Sequence, residues 1–300
     1  SLAPGACAFA HGTAGTMLEL DEGNQYARGH PGIHVVPAVL AARPDASGAE
    51  ALGALALGYE IGARIGISSK LRVTMHPHGT WGTVGAALAV AALHGADAAQ
   101  MRQVLNIASS FGLSTSRRTM LEGATVRNSY AGLSNQLGLL AWDLAQSGFV
   151  GETDGIGAVY GGIIAEDFRP DEMVEDLGTR WEIARNYFKR HAACRYTHGA
   201  LDALAVLQAE APLDAAAIER IEVDTYVWAA QLDLPQPRNM LSAKFSLPFA
   251  LATSIVHGAA TVPAFREPAL HQADTLALAA RVVVREDPAL TARLPGLRPA

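Results

Sequence analysis

Apolar positions recur every three or four residues through most of the chain, and short polar loops separate the runs. This spacing predicts helices over residues 8–20, 49–66, 82–94, 97–109 and 130–147, with a short apolar segment over 35–42. Asp97 has the character of an N-cap and Gly148 that of a stop. In 49–66 the small residues between the apolar ones allow close approach of a neighbouring helix. The pattern changes after about residue 181. IERIEVDTYVW (218–228) alternates like a strand and VVVRED (282–287) is a second β-rich run, whereas 243–258 and 269–280 return to helical spacing. The predicted class is therefore mainly α: a large all-helical domain over 1–185 and a smaller α+β domain over 186–300.

With 50% of its 300 residues hydrophobic and 17% charged, the chain can bury a sizeable core. Its net charge of −6 argues against nucleic acid or an acidic membrane surface as main partner. No apolar run reaches bilayer length, since 84–93 stops at His94. Cys7 and Cys194 are too few for a disulfide framework, which points to a reducing, cytoplasmic setting. GIGAVYG (155–161) has near-dinucleotide glycine spacing but follows a helical pattern, and GxSxG does not occur.

The most chemical stretch is MHPHGTWGTVG (75–85). Pro77 fixes its own φ and pushes His76 into extended geometry, so the segment should be a loop entering a helix capped at Thr80. Thr80, Gly82 and Thr83 would then line a helix mouth whose free amides suit a carboxylate, beside a histidine able to carry a proton. His76 and His78 find no CxxC or HExxH pattern to complete a ligand set, so no metal is expected. Three other loops also hold titratable side chains: Glu19, Asp21, Glu22 and His30; Arg127 and Tyr130; Lys189, His191, Cys194 and His198. Taken together they suit proton transfer at a carbon next to a carboxylate, with Arg127 as clamp and His, Lys or Tyr as proton carriers.

At these loops the chain resembles the MmgE/PrpD family of 2-methylcitrate dehydratases, cis-aconitate decarboxylases and iminodisuccinate epimerases. The resemblance rests on HGTAGTMLELDEG followed by HPGIHVVPA, on MHPHGTWGTVGAA, YAGLSNQLGLLAWDLAQSGFVG, KRHAACRYTHGALDA and AKFSLPFALA. It implies a helical domain with a smaller lid domain and a homodimer. The implied active site lies between the domains, uses no cofactor and is completed by lid closure, with Lys189 facing His76. His30 and His76 match the family's two His-Pro histidines, Lys189 the lysine opening the lid segment, and Asp21 its acidic loop. Arg127 stands where decarboxylase and dehydratase members commonly have lysine, Tyr130 and Cys194 where they have histidine, and Glu19 and Gly23 where they have aspartate and threonine.

The function these residues imply is a cofactor-independent lyase or isomerase acting on a small di- or tricarboxylate. His30, His76, Tyr130, Lys189 and Asp21 are its expected catalytic residues; Arg127, Thr80, Gly82, Thr83, Glu19, Cys194 and His198 are expected to bind substrate. An arginine keeps its charge throughout the working pH range, so Arg127 shifts proton duty to its neighbours. A non-catalytic polycarboxylate-binding or structural homologue is the competing expectation. The family's chains extend beyond both ends of this one, so the sequence is expected to cover only part of the family's architecture.

Overall fold

The structure, a computed structural model, describes residues 2–294 and 296–300. Its helices are α1 (Pro4–Met17), α2 (Val36–Ala42), α3 (Gly48–Ser68), α4 (Trp81–Leu93), α5 (Ala98–Ser109), α6 (Arg118–Glu122), α7 (Tyr130–Gln146) and α8 (Asp171–Val174). They continue with α9 (His198–Glu210), α10 (Val227–Ala230), α11 (Met240–Lys244), α12 (Leu247–His257), α13 (Glu267–Leu270), α14 (Ala273–Ala279) and α15 (Pro288–Thr291). The fold is mainly α, as the apolar spacing requires. It divides into two compact units. One comprises the chain up to Met17, Asp21–Arg117 and Val126–Phe188; the other Leu18–Leu20, Arg118–Thr125 and the chain from Lys189 onward. Two short segments of the first half thus group with the second unit, which no single cut along the sequence expresses.

In the first unit α4 is the central element. Its sequence is apolar on every side and almost all of it is buried, with α3, α5 and α7 packed around it. Gly58 of α3 and Gly85 of α4 make a close crossing: a β-carbon on either would lie 2.6 Å from the other's carbonyl oxygen. Capping boxes start two of the neighbours, Ser47 with Glu50 for α3 and Asp97 with Gln100 for α5.

This unit is not purely helical. Short antiparallel pairs join β1 (Gly23–Asn24) to β6 (Asn186–Tyr187), β2 (Ser69–Leu71) to β5 (Ala165–Phe168), and β3 (Met75–His76) to β4 (Thr115–Ser116). Pairs of two to four residues satisfy backbone groups where the chain leaves helices, and they are too short to show a period of two in sequence. The first helix also stops at Met17, before the expected residue 20, because Glu19 takes a left-handed φ of 53°. GIGAVYG runs into a π-helix, Gly157–Ile163, and no strand directly precedes it.

The second unit is built on the parallel pair β7 (Ile221–Thr225) and β8 (Val282–Glu286), in register from Ile221↔Val282 to Thr225↔Glu286. The α9, α12 and α14 helices pack with this pair around Phe249, Phe265, Leu201, Leu241 and Leu247. The helix expected over 243–258 is two: Ser246 caps α12 from its side chain, and Pro248 at the second helical position cannot continue a preceding helix. The one expected over 269–280 is likewise divided, at His271–Gln272, into α13 and α14. The α9 helix was not anticipated; its signal is the helical spacing of Ala200, Leu201 and Leu204, which it buries. Among the described residues no helix is long and apolar enough to cross a membrane.

Candidate functional site

In the first unit two loops converge at the start of α4. The first runs from Asp21 through His30 to a 3-10 turn at Gly32–His34. Asn24 folds it back on itself, its side-chain oxygen accepting from the amides of Tyr26 and Ala27. The Glu22 carboxylate accepts from the amides of Gly32 at 2.7 Å and Ile33 at 3.2 Å, fixing where the 3-10 turn begins. Asn135 of α7 holds the far end, accepting from the Ala38 amide and donating to the Ile33 carbonyl.

The second loop is His76–Thr80. His76 is extended in β3, and Gly79 turns the chain with φ +83°, a value costly for any residue with a β-carbon. Thr80 sits at the N-cap of α4, but its hydroxyl donates to the Pro77 carbonyl instead of capping. The Thr83 hydroxyl donates to the Gly79 carbonyl and meets the Ser134 hydroxyl at 3.2 Å, and Gly82 lies against the His34 ring, where a β-carbon would be 2.4 Å from Cγ. These three residues, expected to seat a carboxylate, take part in the hydrogen bonds and packing of the turn.

The convergence gathers four imidazoles, those of His34, His76 and His78 buried and that of His30 half-buried. The His78 ring lies edge-to-face with His76, His30 and His34 at centroid separations of 4.8, 5.0 and 5.1 Å, and His76 meets Tyr130 at 6.0 Å. The buried Asp21 carboxylate stands 3.7 Å from His30 Nδ1 and 3.9 Å from His78 Nε2. His30 Nδ1 also hydrogen-bonds the Glu22 carbonyl. Burial is the main force on these rings and pushes His76 and His78 well below the ordinary histidine pKa, with the Arg127 charge adding to it. His34 is pushed down to about 3, by burial first and then by His30. His34 and His78 were unassigned in the sequence; a buried polar residue flanking each His-Pro motif was the available sign.

Both ring nitrogens of His76 face N–H donors. Its Nδ1 accepts the His78 amide hydrogen at 3.1 Å, and its Nε2 lies 3.5 Å from the Arg127 Nε–H that points at it. The buried guanidinium of Arg127 thus lies directly against the His76 ring.

In the second unit the Lys189 ammonium pairs with Glu19 at 3.2 Å, both side chains buried. Lys244, also buried, donates to the Leu18 carbonyl at 2.6 Å. Two buried lysines thus fix the short segment in which Glu19 holds its left-handed backbone. The carbonyl of Cys194 accepts from Thr197, and its amide donates to the Lys244 carbonyl, so this residue shapes the turn into α9. His198 opens α9 with Nε2–H on the Ala193 carbonyl at 3.2 Å, and burial pushes it down to about 3.

A family model described as the MmgE/PrpD N-terminal domain matches residues 1–168, and one described as the MmgE/PrpD C-terminal domain matches 191–300. All the residues above fall within these matches except Lys189, which lies between them. The chain is 28% identical over 233 residues to a cis-aconitate decarboxylase of Aspergillus terreus, covering 70% of this chain and 47% of that protein. It is 28% identical over 233 residues to the cis-aconitate decarboxylase-like protein oryM of Aspergillus oryzae, covering 70% of this chain and 48% of that one. The chain thus spans about half the length of the curated relatives it matches.

Two outcomes follow from this geometry. Gly82→Ala should cost about 1–3 kcal/mol by overpacking against His34, lowering the thermal midpoint; an unchanged melt would contradict the packing described. His198 is neutral in the fold and protonates near the ordinary value in the unfolded chain. Its contribution is therefore complete above that value and falls as pH drops from about 6.5 toward about 3, amounting to about 2 kcal/mol by pH 5. Urea titrations near pH 7 and pH 5 should show this loss, and His198→Asn should reduce it.

Proposed function

The chain belongs to the MmgE/PrpD family, and on that footing we propose that it binds a small di- or tricarboxylate and moves a proton at the carbon next to a carboxylate, as part of a homodimeric enzyme. The observation that carries the reading is the buried Arg127 guanidinium set 3.5 Å from His76, whose ring in turn borders Tyr130. A substrate carboxylate accepting from that guanidinium would be fixed in orientation and charge, as a charge-assisted contact in a dry setting requires. Tyr130, whose ring borders His76, is the proposed proton carrier nearest that carboxylate. Lys189, held on Glu19, is proposed as the second carrier. Asp21 and His30, expected from sequence to be catalytic, are assigned here to holding the loop, since His30 Nδ1 is committed to the Glu22 carbonyl.

The chemistry needs only side chains. A base takes the α-proton and leaves a carbanion stabilised by its neighbouring carboxylate. If an acid then protonates a departing hydroxyl, water leaves and the protein is a dehydratase. If the proton returns on the opposite face, it is an epimerase. The sequence similarity to cis-aconitate decarboxylases supports a polycarboxylate as substrate class.

Deuterium incorporation from D2O into a panel of di- and tricarboxylates, cis-aconitate included, tests this. Wild type should exchange the α-proton of at least one. Arg127→Met should weaken binding of that compound about a hundredfold, the cost of removing one partner of a buried charge pair. Tyr130→Phe and Lys189→Met should each slow exchange by about 10²–10⁴-fold. Binding without exchange in the folded wild type would replace the enzyme by a polycarboxylate-binding homologue; neither binding nor exchange would remove both.

A further inference from the structure

The short ribbon that holds His76 leads into a second arginine. His76 of β3 pairs with Thr115 of β4 and Met75 with Ser116, and the Arg117 amide carries the ladder one residue further by donating to the Thr74 carbonyl at 2.8 Å. Directly opposed residues of an antiparallel pair share a face, and alternate residues of one strand return to it. His76, Thr115 and Arg117 therefore project from one face of the ribbon. Arg117 stands diagonally across from His76, a separation of about 7–8 Å that a long side chain spans. Its Nε and Nη2 are shielded from water although the residue as a whole is half-buried. The electrostatics of the His76 ring fit this placement. Burial is the main force pushing it down, and the charges of Arg127, His30 and Arg117 add to it in that order. The two guanidiniums reach the ring from separate parts of the first unit, Arg127 from the 3-10 turn before α7 and Arg117 from the end of β4.

We propose that Arg117 is a second carboxylate-binding residue, so that a compound held at Arg127 is selected for carrying two carboxylates, with the carbon between them beside His76 and Tyr130. This assignment rests on the polycarboxylate reading and names the side chain that selects the second carboxylate. A guanidinium is a planar fork that fixes the orientation of the carboxylate it binds. Held at one end only, a small acid can still turn about that contact. Held at both ends, it presents one α-proton to one carrier, which is the positioning that acid–base chemistry needs.

Calorimetry separates this assignment from the reading beneath it. The probes are the di- and tricarboxylates of the exchange panel and, for the one that wild type binds most tightly, the analogues in which each carboxylate in turn is replaced by a carboxamide. Wild type should prefer the parent compound over every amide by at least about tenfold. Arg117→Met should weaken binding of the parent about ten- to a hundredfold, the worth of one charge-assisted contact, and leave at least one amide unchanged because that analogue no longer uses Arg117. Arg127→Met should weaken the parent and that amide alike. Arg117→Gln makes the same comparison with a polar side chain and decides the matter if Arg117→Met does not fold. Arg220→Met, which removes an exposed arginine of the second unit, should alter neither affinity. Parent affinity unchanged by the Arg117 variants, or a loss equal for the parent and every amide, overturns the proposal and leaves the polycarboxylate reading standing. A folded wild type that binds none of the panel removes both.

Discussion

The turn from His76 to Thr80 is the constraint on which the first unit's chemistry depends. Pro77 holds the backbone extended on its N-terminal side, and Gly79 reverses it in a conformation that few other residues adopt cheaply. Between them the His78 amide reaches back to donate to His76 Nδ1. The same turn sets His78 against three other imidazoles and delivers the chain into α4, the helix that the rest of the unit covers. Relaxing it would change a packing core and a helix start together.

The two units handle buried polarity differently. In the first, burial and the neighbouring guanidinium favour uncharged rings, and Arg127 is the charge they surround. A ligand that brings negative charge to such a place is bound through donors already oriented, which is how a dry site gains selectivity without rearranging. In the second, charge is kept by pairing: Lys189 sits on Glu19, and Lys244 on the Leu18 carbonyl. A buried pair of this kind is sensitive to loss of either partner, because the other is left uncompensated.

The sequence disclosed the helices that apolar spacing controls, among them α3, α4, α5 and α7, and the two strands of β7 and β8. It did not disclose the short strand pairs, since two-residue pairings carry no period. It also placed Glu19 inside a helix, because a left-handed backbone held by a distant lysine leaves no local mark. The His76, Arg127 and Tyr130 grouping was legible as chemistry, and the fold brings those three together. The roles given to Thr80, Gly82 and Thr83 were read from a glycine-rich helix start; the structure shows why that signal is ambiguous, for close packing on His34 and Ser134 asks for the same small residues. His78 passed as a neighbour of His76, and only the return of the Asp21–His30 loop shows what it faces.

The central claim is that the imidazoles of His34, His76 and His78 are buried and neutral. Nitrogen-15 NMR of labelled histidine rings reads their charge directly. The account predicts that His34, His76 and His78 stay neutral when the protein is taken from neutral pH to about pH 5.5. Titration of these rings near the ordinary histidine value of about 6.5 would contradict it.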